Sequence, residues 1–183
     1  NIRETSSEVI CSLNYLSSHM EEGYPGNLNC NVDYIFNNNN EIIIKFRCKS
    51  DIDTIVNLTN HNYWNFHGHG DHYNNNEDHI VKINSNSICQ TDDQSIPTGK
   101  IANVKDTKFD LNNDFLINDD LLNSGGIDHN YILEDHSMKT PVAKIYSKKT
   151  KMGVEYFTNQ QGIQFYTGNM MLDNYIGKQN KSY

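Results

Sequence analysis

The stretch Glu41-Ile42-Ile43-Ile44-Lys45-Phe46-Arg47-Cys48-Lys49 alternates with a period of two. Ile42, Ile44, Phe46 and Cys48 fall on one side, and Ile43, Lys45, Arg47 and Lys49 on the other. Successive side chains of a strand point to opposite faces, so this pattern predicts a half-buried β-strand. Just upstream, Asn31 to Phe36 alternates as well, with Val32, Tyr34 and Phe36 together. The intervening run Asn37 to Asn40 reads as a hairpin connection, because asparagine tolerates positive φ.

The same period recurs outward from this pair. Asp53 to Leu58, His79 to Ile83, Asn130 to Leu133, Val142 to Tyr146, Gly153 to Phe157 and Ile163 to Tyr166 are short strand candidates. Ile96-Pro97-Thr98-Gly99 and Asn123-Ser124-Gly125-Gly126 read as turns between them. Only Asp114 to Leu122 suggests a helix. Many short strands with turn punctuation predict an all-β fold, an antiparallel β-sandwich or barrel. No composition shift or internal repeat divides the 183 residues, so the reading is one domain, or a piece of a larger all-β one.

Composition narrows the function classes. The net charge of −8 speaks against broad binding to nucleic acid or an anionic membrane. No apolar run reaches the roughly 18 residues of a membrane span, and no signal-peptide pattern opens the chain. The 28 asparagines account for much of the low hydropathy and concentrate in loop-like tracts. Cys11, Cys30, Cys48 and Cys89 lack metal-ligand spacing and read as buried free thiols, which fits a reducing, cytoplasmic setting.

The densest polar and aromatic stretch is Asn57-Leu58-Thr59-Asn60-His61-Asn62-Tyr63-Trp64-Asn65-Phe66-His67-Gly68. Amides can hydrogen-bond sugar hydroxyls without charge, and an aromatic face can cover the C–H face of a pyranose. With His61 among them, the stretch suits a neutral polyhydroxylated ligand beside a titratable imidazole. The residue types alone favour a plainer reading, a polar strand end whose His61 satisfies a backbone group. His67, His69, His72 and His79 invite a metal reading, but no carboxylate or thiol spacing completes a zinc or nickel site, and a loop is the simpler expectation.

Asn57 to Asn65 resembles the segment around the catalytic histidine of the aldose 1-epimerase (galactose mutarotase) family. Four further blocks resemble that family in its order: Glu22-Gly23-Tyr24-Pro25-Gly26-Asn27-Leu28, Ile96 to Ala102 with Phe109-Asp110, Gly126-Ile127-Asp128-His129-Asn130-Tyr131, and Gly162 to Asn169. The resemblance spans roughly residues 21–173 and leaves 1–20 and 174–183 poorly matched. It implies a mutarotase-like supersandwich that interconverts the α and β anomers of aldohexoses such as galactose or glucose. No metal or redox cofactor is implied. Ring opening needs a proton delivered to the ring oxygen and one removed from the C1 hydroxyl. By motif, His61 is the acid, Asp128 a hydroxyl-binding carboxylate and Gln164 a substrate-binding amide. Asn62 and Tyr63 flank the histidine and join the substrate-binding set; the family commonly has serine at the position of Asn62.

Two parts of the family's machinery have no counterpart here. An upstream histidine with an Asn-Arg pair is missing, and His19 is no substitute for it. The glutamate base expected after the Gln164 block is also missing, and Glu134, Glu155 and Asp173 stand in no corresponding motif. The chain therefore reads as an internal segment of a longer polypeptide. The competing expectation is a catalytically inactive, mutarotase-like carbohydrate-binding protein. A hexose-phosphate epimerase fits least, since Arg3 and Arg47 are the chain's two arginines. Oligomeric state has no signature.

Overall fold

The computed structural model describes residues 1–68, 78–169 and 176. Among these residues, twelve strands form three four-stranded antiparallel sheets, and the chain divides into two compact units, Asn1–Tyr63 and Trp64–Tyr183. The all-β expectation holds.

The first unit is a single sheet, in the order β1 (Ile2–Glu4), β2 (Glu8–Ser17), β3 (Leu28–Asn37), β4 (Ile42–Ser50). The predicted hairpin is β3–β4, in the register Phe36↔Ile42 to Leu28↔Ser50. Asn40 takes the left-handed φ of 60° that the connection needs, and Asn37 Oδ1 accepts from Asn39 N and Glu41 N. The side-chain alternation is correct, but the burial is not. Ile42 and Phe46 are 58% and 38% exposed, and Cys48 is an exposed free thiol. Val9, Leu13 and Phe36 on the same face are exposed too. Alternation fixes which side chains share a face; what packs on that face decides burial.

The second unit is a two-layer sandwich. One layer runs β11 (Gly153–Tyr156), β10 (Ala143–Ser147), β5 (His79–Ile83), β8 (Phe115–Leu116). The other runs β12 (Gly162–Tyr166), β9 (Asp128–Ile132), β6 (Ser87–Thr91), β7 (Pro97–Asn103). Val81, Ile83, Val142 and Ala143 from the first layer meet Ile88 and Tyr131 from the second, with Leu111, Ile117, Leu121 and Ile127 filling between. Burying each such aliphatic side chain contributes about 1.5–3 kcal/mol. This core holds β9 and β12 in place.

Several local expectations need correction. Asp53 to Leu58 forms no strand: Ile55 and Val56 are 76% and 44% exposed, and no ladder partner exists for them among the described residues. Their β-branched propensity is not enough without a neighbouring strand. The turn placed at Ile96–Gly99 lies one step earlier, where Asp92 accepts from Gln94 N and Ile96 N. Pro97 then starts β7, a strand at the edge of its sheet, where a missing N–H costs least. The helix is shorter than Asp114–Leu122. Phe115–Leu116 pairs with β5 instead, and Asn118 Oδ1 caps α1 (Asp119–Asn123) by accepting from Leu121 N at 3.0 Å. Strands β1, β2, β6 and β7 were not anticipated. No helix among the described residues is long and apolar enough to cross a membrane.

Two core tyrosines make stability fall at high pH. Burial raises the Tyr131 hydroxyl and pushes Tyr156 up to about 12, against 10.0 in open chain. A tyrosine is neutral when protonated, so the unfolded chain loses this proton first as pH rises. Stability from these groups is complete below about pH 10 and is lost as pH climbs toward 12. We expect the thermal midpoint to drop across that window, and Tyr156→Phe to flatten the drop. A slope unchanged in the variant would remove Tyr156 from the account.

Candidate active site

The functional residues read from the sequence lie in two groups, one in each unit. His61, Asn62 and Tyr63 close the first unit, in the segment that follows β4 without helix or strand. All three are exposed, Tyr63 by 66%. The His61 and Tyr63 rings lie with centroids 5.2 Å apart and planes tilted by 31°. The preceding Asn60 is anchored, its Nδ2 donating to Tyr34 Oη on β3 at 3.1 Å. An exposed imidazole on an anchored stretch is open to a ligand.

Asp128 and Gln164 are brought together. Their strands β9 and β12 pair with Asp128 opposite Tyr166 and Gln164 opposite Asn130, so the two residues are diagonal neighbours on one face. Gln164 Nε2 donates to Asp128 Oδ1 at 2.7 Å. The alternate residues point inward: Tyr131 is fully buried, with Ile163 and Phe165 packed against the core. Asn130 and Tyr166 share the Asp128 face by the same alternation. They escaped the sequence reading, although stepping by two from Asp128 and Gln164 reaches both. A carboxylate oxygen, amides and a phenol on one strand face are a set of neutral and anionic hydroxyl partners.

The carboxylates weighed as a base are engaged elsewhere or undescribed. Glu134 accepts from Asn86 Nδ2 at 2.7 Å, and Glu155 pairs with Lys144 Nζ at 2.5 Å. Asp173 lies outside the described residues. His19 serves a turn, its Nδ1 accepting from Gly26 N at 3.0 Å. His69 and His72 also lie outside the described residues, and no group of three metal-ligating side chains occurs among those described.

Comparison with known proteins decides the family. A model of the family described as Aldose 1-epimerase matches residues 1–182. The chain belongs to the aldose 1-epimerase family. It is 36% identical over 165 residues to the galactose mutarotase of Bos taurus, covering 89% of this chain and 47% of that one. To the galactose mutarotase of Homo sapiens it is 35% identical over 170 residues, 92% of this chain and 49% of the other. The crystal structure of a galactose 1-epimerase from Lactobacillus acidophilus NCFM superposes with a TM-score of 0.81 at 25% identity, over 100% of this chain and 54% of its own. A GalM/aldose epimerase homologue from C. elegans gives 0.82 at 25% identity, over 100% and 55%. The chain thus spans about half the length of the mutarotases it matches.

Proposed function

We propose that the protein interconverts the α and β anomers of an aldohexose, galactose or glucose, with His61 as the acid. The observation that carries this reading is the Asp128–Gln164 pair on one open strand face, in a chain whose family is named for anomer exchange. In the forward step the His61 imidazolium gives its proton to the ring oxygen as the C1–O bond breaks. The C1 hydroxyl loses its proton to a base, and its oxygen becomes the carbonyl oxygen. Rotation about C1–C2 presents the other carbonyl face. Reclosure then returns the proton from the ring hydroxyl to His61, while the protonated base gives its proton back to the carbonyl oxygen, which becomes the C1 hydroxyl again. Neither Glu134 nor Glu155 is assigned as the base. Asp128 and Gln164 hold sugar hydroxyls, and Asn62 and Tyr63 bound the ring beside His61. The four thiols are free, which supports a cytoplasmic setting.

Polarimetry on freshly dissolved α-galactose and α-glucose tests the reading, using the full-length protein. Faster decay of rotation than in buffer is expected. Saturable sugar binding with no acceleration would replace the enzyme by a binding protein. Asp128→Asn keeps an acceptor for Gln164 but removes the charge. Hydrogen bonds to a charged group are worth about 1.5–3 kcal/mol, so KM should rise about tenfold or more with a smaller change in kcat. An unchanged KM would take Asp128 out of the binding set.

A further inference from the structure

The segment that continues the His61 motif is tied down by a histidine to which the acid–base scheme gives no role. His79 opens β5 and is completely buried. Its Nε2 accepts the backbone N–H of Phe66 at 2.9 Å. An imidazole nitrogen accepts only when it carries no proton, so the neutral ring holds its hydrogen on Nδ1. Four further contacts fix the same stretch. The Phe66 ring stacks on His79 at 5.7 Å, and Trp64 stacks on Phe66 at 5.7 Å. The His67 ring sits 4.5 Å from His79, with its Nε2 3.0 Å from Ser147 Oγ. Ser147 is itself fully buried and stands directly opposite His79 in the β5–β10 register. Two paired strand ends therefore grip two consecutive residues, Phe66 by its backbone and His67 by its ring.

A fully buried imidazole is costly to keep without good partners. Most apolar side chains would fill the same volume, but none offers an acceptor to a buried N–H. The cross-strand pair supplies that acceptor within six residues of His61 in the chain. We infer that His79 is a positioning residue for the anomerisation reaction: its Nε2 fixes the backbone at Phe66 and thereby restricts the conformations open to His61. This inference rests on the mutarotase reading for its catalytic consequence, whereas the anchor itself does not. His79 touches no reacting atom in this scheme. It acts through the chain.

The test compares His79→Leu with His79→Gln in the full-length protein, at a temperature where circular dichroism shows each fully folded. Gln offers Oε1 as an acceptor near the position of Nε2, whereas Leu offers volume alone. Misplacing a catalytic group by about 1 Å can cost around 10²-fold. We expect His79→Leu to lower kcat roughly 10- to 100-fold with KM within about twofold, and His79→Gln to recover most of it. Wild-type kcat in folded His79→Leu overturns the inference. Equal loss in both variants also overturns it, because the acceptor would then not matter. If neither variant folds, NMR of the wild-type protein decides. An unprotonated His79 Nε2 with a through-bond coupling to the Phe66 amide supports the anchor, and a protonated Nε2 removes it. Absence of anomerisation in the wild type would sink the mutarotase reading, while the same NMR measurement would still report on the anchor.

Discussion

Replacing His61 by alanine should abolish catalysed anomerisation while leaving the fold intact. The side chain is exposed and makes one ring contact, to Tyr63, so truncation opens no cavity and orphans no buried group. What it removes is the proton donor for the ring oxygen. A positioned acid or base contributes on the order of 10²–10⁴ in rate, and kcat should fall by that factor. Since the imidazole acts mainly as the C–O bond breaks, kcat and kcat/KM should fall together. The thermal midpoint should stay within about a degree or two of wild type, as for an exposed substitution. Progress curves from freshly dissolved α-galactose, together with a melting curve, separate the two effects. A His61→Ala protein of wild-type activity would end the acid assignment. A protein inactive only because it melts would leave the role of His61 to be tested by His61→Gln.

The site was legible where the signal is local and hidden where it depends on pairing. His61, Asp128 and Gln164 stand in contiguous motifs, and each motif can be read without knowing what lies across from it. Their partners cannot be read in this way. Gln164 reaches Asp128 across 36 residues of sequence, and only the β9–β12 register makes Asn130 and Tyr166 their companions. The fold divides along the same line. The β3–β4 hairpin was visible because its two alternating runs flank a short asparagine tract. Strand β7 was masked because Pro97 and Gly99 carry the chemistry of turns, and Pro97 is tolerated because it opens a strand at the sheet edge. His79 continues inward the period of Val81 and Ile83, but a histidine on an apolar face does not announce that it is a buried acceptor. Cys48 shows the reverse failure. Its face was assigned correctly and its burial was not, since alternation carries no information about a covering layer.

The second large effect is expected at Gly126, two residues before Asp128. Gly126 adopts φ +63°, and a Cβ there would lie 2.7 Å from Asn169 Cγ and closer still to Thr167 Oγ1. Alanine therefore meets two separate penalties. The left-handed backbone costs a residue with a Cβ about 1–2 kcal/mol, and crowding a packed site costs about 1–3 kcal/mol more. Thr167 cannot yield cheaply. It is 3% exposed, its Oγ1 accepts from Ile127 N at 2.9 Å, and its own N donates to Ile127 O at 2.9 Å. These bonds clamp the residue next to Asp128 against the end of β12, so pushing Thr167 aside disturbs the start of β9 and the Asp128–Gln164 contact with it. Gly126→Ala should lower the thermal midpoint by roughly 5–15 °C, using about 2–4 °C per kcal/mol for a chain of this size. Sugar binding should weaken in the protein that remains folded. Gly125→Ala is the control that separates the two penalties. Gly125 has φ +92°, but a Cβ there meets nothing within 4 Å, so it carries backbone strain without the clash. If crowding against Thr167 matters, Gly126→Ala must be clearly the more damaging of the two, and only it should raise KM. Equal melting points and equal KM values would reduce the Gly125-Gly126 pair to a matter of turn geometry alone.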